Sequence, residues 1–100
     1  MQVMQLGDFA SRVNETFTVS LDQGEGNAPF VLVEARPVNA PTTQSGQARD
    51  PFSLLFRNEA AILFPQRIYR MHHEATGEFG IFLVPIARER AGFLYQAVFN

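Results

Sequence analysis

The chain has no cysteine, no tryptophan and no lysine among its 100 residues. Without cysteine there is no disulfide, no thiolate metal ligand and no thiol nucleophile. Stability must come from a packed core. Without lysine, all 8 basic side chains are arginine. Arginine's planar fork suits carboxylate or phosphate, but these residues are scattered, as a GC-rich codon bias also makes them. The net charge is −2 and the isoelectric point about 5.6, with no basic stripe. Nucleic-acid binders draw their affinity from phosphate contacts, so no nucleic-acid partner is expected. No apolar stretch approaches the roughly 20 residues that span a bilayer as a helix. The start, MQVMQLGDFASRVN, has neither the basic nor the apolar region of a secretory signal. A soluble protein with no membrane partner is expected, cytoplasmic by default.

What the chain does have is phenylalanine, 10 residues against 2 tyrosines. Each buried aromatic removes roughly 150–250 Å² from water, so half of them suffice for a small core. With 46% hydrophobic and 18% charged residues the composition is globular, and the length suits one domain over 1–100.

Period-two alternation dominates. Phe17, Val19 and Leu21 point one way, with Thr16, Thr18 and Ser20 opposite. Pro29 to Arg36 is a second strand, apolar on both faces at its middle. Phe52, Leu54 and Phe56 share a face of a third. Ile62-Leu63-Phe64 is a short apolar run stopped by Pro65, which removes a ladder donor. In Gln66–His73, Tyr69, Met71 and His73 face one way, and Ile68, Arg70 and His72 the other. Glu74–Gly77 is a hairpin turn, and Phe79–Val84 is apolar on both faces. Ala87–Gly92 is a charged loop, and Phe93–Asn100 closes the sheet, with Tyr95, Ala97 and Phe99 on its inner face. Before all of these, Leu6–Val13 is a short helix with Asp8 as its N-cap or first-turn acid and Phe9 and Val13 on one face. Too short to stand alone, it must lean on the open end of the sheet. These elements predict a mainly β fold, an antiparallel barrel or roll of about six strands with a short N-terminal helix. Short connections suit an up-and-down or roll order. Val38–Arg49 is the one long linker, functional or mobile.

Motifs for chemistry are few. His72 and His73 are adjacent on a strand and face opposite ways, so they do not share a metal, and zinc wants three or four converging ligands. No metal site and no cofactor are expected. Tyr69 and His73 lie on one face, with Arg70 beside them, and could form an acid–base couple in a ligand-binding or enzymatic barrel. No nucleophile or phosphate loop accompanies them. The stronger signal is apolar excess: Ile62, Leu63, Phe64, Phe82 and Val84 exceed what one face of a small sheet buries. Exposed apolar patches mark interaction surfaces. These five residues are therefore the candidate contacts with a protein partner or a second copy.

The blocks LGDFASRVNETF, DPFSLLFR, LFPQRIYRMHHEATGEFGIFLVPI and YQAVFN resemble the DUF6916 family of small uncharacterised bacterial domains. They cover most of the chain apart from Pro29–Arg49. The resemblance carries no catalytic residue. It implies an accessory component found beside phage-tail-collar-like proteins. The expected function is a non-enzymatic interaction or assembly module. The alternative is the small barrel using Tyr69, His73 and Arg70.

Overall fold

The computed structural model describes residues 4–21, 26–38, 51–59 and 63–99. A short helix, α1 (Gly7–Ala10), precedes six strands: β1 (Thr16–Ser20), β2 (Asn27–Pro37), β3 (Phe52–Asn58), β4 (Arg67–His73), β5 (Gly77–Glu89) and β6 (Gly92–Phe99). They close into an antiparallel barrel in the order β1-β2-β3-β6-β5-β4. The order is not up-and-down. β1-β2-β3 and β4-β5-β6 are two meanders, joined where β1 meets β4 and β3 meets β6. The second joint is long, from Phe52↔Phe99 to Asn58↔Phe93.

Alternation places the core as the sequence predicts. Phe17, Val19, Phe30, Leu32, Phe52, Leu54, Phe56, Met71, Ile81, Leu83, Tyr95 and Ala97 are all buried inside the barrel. Bulges between Leu32 and Glu34 and between Pro85 and Ala87 bend the long strands β2 and β5 around it. β5 pairs with β4 through Leu83 and with β6 from Val84 onward. Its charged end, Ala87–Glu89, is strand and not loop, paired with Gly92–Leu94. An exposed hairpin arm needs no apolar face, so the period-two signal is missing there. The turn is tight because Gly92 sits at φ +144°, and a Cβ there would lie 2.2 Å from the Asn58 carbonyl oxygen. Asn58 is itself buried, its side-chain amide donating to the Pro29 carbonyl at 2.7 Å.

A closed barrel has two ends, and aromatic rings stopper both. At one end α1 inserts Phe9, fully buried, with ring centroids about 6 Å from those of Phe17, Phe52, Phe79 and Phe99. Phe52 and Phe99 stack at 4.7 Å beneath it. Asp8 acts as a first-turn acid: its carboxylate accepts the Gln5 N–H at 2.8 Å. Val13 does not share the Phe9 face. The helix ends at Ala10, and Val13 lies exposed in the turn before β1. Replacing Phe9 by alanine is expected to cost about 3–5 kcal/mol and to lower the melting temperature sharply. Thermal melts of Phe9→Ala against wild type check this; an unchanged melt would mean the barrel end closes without the ring.

Candidate functional site

At the opposite end two tyrosines reach out from the barrel interior to the segment before β4. The Phe64 N–H donates to the Tyr95 hydroxyl at 2.9 Å. The Tyr69 hydroxyl donates to the Pro65 carbonyl at 2.5 Å. The Phe64 ring packs on Phe30 at 5.8 Å, and Phe30 packs edge-on against Tyr95 at 5.1 Å. Phe64 therefore spends its ring on closing the barrel. A three-residue apolar run shows no period, so its direction is invisible in the sequence. Burial raises the Tyr95 phenol above its ordinary value, against a smaller lowering by the bond from Phe64. Burial also raises Tyr69, offset in part by the nearby Arg67 guanidinium.

Tyr69, His73 and Arg70 do not converge. Tyr69 is engaged with Pro65. His73, four residues and roughly 13 Å along the strand, has its own partners. Its Nδ1 accepts the Ala75 N–H at 3.0 Å, which puts the ring proton on Nε2, 2.7 Å from a Glu15 carboxylate oxygen. The ring lies 4.5 Å from Phe17. Arg70 is outside the barrel, 3.4 Å from Glu78. The His73–Glu15 contact ties the end of β4 to the turn between α1 and β1. Among the described residues, no group of three or more His, Asp or Glu gathers to hold a metal ion, and no helix is long and apolar enough to cross a membrane.

The outer wall is different. Ile68 is 70% exposed and Phe82 47%, and they stand directly opposite each other on β4 and β5. Val84, partly buried, pairs with Gln96. Val98 lies two residues beyond Gln96, as Phe82 lies two before Val84, so the antiparallel register sets both on the same side of that pair. Val98 and Ile86 are each 49% exposed. Leu63 is 51% exposed beside the Phe64 stopper. Ile62 and the 39–49 segment lie outside the described residues. Ile68 and Val98 were not among the sequence candidates, whereas Ile86 ends the Phe79–Ile86 stretch whose outer face the sequence already offers as a surface. Ile68 carries a legible signal: it is the one apolar residue on a face otherwise made of Arg70 and His72.

Beside Ile68, a groove of about 500 Å³ runs along β4 and β5, lined by Ser20, Arg67, Ile68, Arg70, Glu78 and Gly80 among others. The Arg67 guanidinium lies 5.1 Å over the Tyr69 ring.

Fold and surface together define a small six-stranded antiparallel barrel with an aromatic-rich core and apolar residues on its outer wall. The chain belongs to the family described as Domain of unknown function (DUF6916), which matches it over residues 4–99. No curated protein and no solved structure matches the chain.

The raised phenols fix the direction of an alkaline effect. Below about pH 10 both tyrosines are protonated folded or unfolded and add no pH dependence. Above it the unfolded chain loses protons that the folded chain keeps, so stability falls as pH rises. Tyr95→Phe is expected to lose about 1 kcal/mol at neutral pH, through the unpaired Phe64 N–H, and to fall less steeply above pH 10. Urea melts across this range, read with tyrosinate absorbance, check it. Tyrosinate appearing at the ordinary phenol value in a folded chain would contradict the burial of the two hydroxyls.

Proposed function

We propose that this protein is a non-enzymatic interaction or assembly module whose working surface is the outer wall of β4, β5 and β6. The observation that carries this reading is the cross-strand pair Ile68–Phe82, two large apolar side chains facing water on a barrel that already buries a core of aromatic and aliphatic side chains. Burying such side chains is worth roughly 1.5–3 kcal/mol each, and a patch left exposed marks a contact surface. Val84, Ile86 and Val98 extend it, and Leu63 stands apart at the end of the barrel. Phe64 is left out, because its ring serves the core. The partner is a protein, another or a second copy, that covers the wall with its own apolar side chains. Association with phage-tail-collar-like proteins rests on the family resemblance alone. A catalytic role is not proposed: Tyr69, His73 and Arg70 are separately engaged, and the interior holds rings where an enzyme of this size would hold its cavity.

The test is association. Wild type is expected to sediment above the monomer, or to keep a partner protein through purification from its native host. Phe82→Ser and Ile68→Ser are expected to keep the wild-type stability within about 0.5 kcal/mol and to lose that association. If both variants associate like wild type, the wall is not the contact surface.

A further inference from the structure

Gly80 is a glycine that the fold does not require. It lies within β5, opposite Arg70 on β4, and its φ is not in the left-handed region. A Cβ there would meet only the Ile68 Cγ2, at 3.7 Å, an ordinary contact. Glycine in a strand interior weakens it and marks either a bend or the close approach of another backbone or a ligand. The register at Gly80 is regular, from Arg67↔Leu83 to His73↔Gly77, so there is no bend. What the missing side chain does is open the groove beside Ile68.

The groove's chemistry is specific. Its most exposed apolar residue is Ile68, at 70%, with Leu21 and Phe79 also lining it. Arg70 and Arg67 lie along it, with the Ser20 hydroxyl and one acid, Glu78. Arg70 already holds a carboxylate, but through a single contact at 3.4 Å between side chains 69% and 51% exposed. An exposed pair of this kind is weak and readily exchanged, whereas arginine's fork can take an incoming carboxylate through two bonds. β4 runs on to Arg67 past its last pairing with β1, Ser20↔Arg70. The site is therefore elongated along a strand, as an extended segment needs.

We propose that the groove over Gly80 binds an extended peptide segment, seating an apolar side chain on Ile68 and an acidic side chain against Arg70. This rests on the reading of the outer wall as the interaction surface and gives the partner a chemistry: an acidic residue next to an apolar one. The segment displaces Glu78 from Arg70 and runs its backbone across the bare Gly80.

Random linear peptides displayed on phage, selected on the immobilised protein, test this. Enrichment of Asp or Glu within two positions of Leu, Ile, Val or Phe is expected. The best peptide, synthesised and titrated, is expected to bind on the order of ten-fold more weakly to Arg70→Glu and to Gly80→Leu, and about two-fold more weakly at most to Gly80→Ala. Its binding should weaken as salt rises to about 0.5 M. Thermal melts of each variant show that the fold is kept, and Gly80→Ala and Arg70→Glu serve if Gly80→Leu does not fold. Selection of nothing, selection without acidic residues, or equal binding by Arg70→Glu overturns the proposal. If Phe82→Ser still abolishes protein association while Arg70→Glu and Gly80→Leu do not weaken it, the wall stands as the interaction surface and only the groove proposal fails.

Discussion

A closed barrel of six strands pairs every strand on both sides and leaves two open ends where an apolar interior would meet water. Stoppering those ends is the constraint on which the rest of this structure depends. Phe9 fills one end from a four-residue helix that is too short to be stable alone. It holds its place because four phenylalanine rings surround it. Phe64 fills the other, fixed through its backbone by Tyr95, with Tyr69 holding the next carbonyl. Segments outside the strands thus become part of the core of a chain without disulfides.

The same constraint accounts for the polar groups nearest the interior, which are engaged at the ends of the barrel. Tyr69 and Tyr95 bond backbone, and His73 ties β4 to the turn before β1 through Glu15. The features that packing does not account for are outside: Ile68 facing Phe82, and a strand glycine opposite an arginine. Each is mildly unfavourable for an isolated barrel, and each is understandable if another chain lies on that wall.

Much of this was legible in the sequence, because period two is a local signal. Phe17/Val19, Phe52/Leu54/Phe56, Tyr69/Met71 and Tyr95/Ala97 all face the interior as the alternation requires. The helix was legible as an element that needed an end to lean on. Strand order was not, since the pairing of β3 with β6 is set by burial across the whole chain and leaves no mark on either segment. Phe64 and Phe82 show the limit most clearly. Both read as surplus apolar residues, yet one turns in to close the barrel and the other faces water. Contacts with Phe30 and Tyr95 on distant strands turn Phe64 in, while alternation with the buried Ile81 and Leu83 turns Phe82 out. Ile68 was readable on the polar side of its strand but draws notice only once Phe82 is seen opposite it.

The central claim is that the interior is full and the unsatisfied apolar surface is outside. Xenon tests it directly, because it enters dry apolar cavities and shifts the resonances of the methyl groups around it. In methyl-resolved NMR spectra under xenon pressure, shifts are expected at surface methyls such as Ile68, Ile86 and Val98 and none that saturate at the interior methyls. Saturable shifts at Leu32, Leu54, Met71 or Leu83 would reveal a cavity inside the barrel and contradict the account.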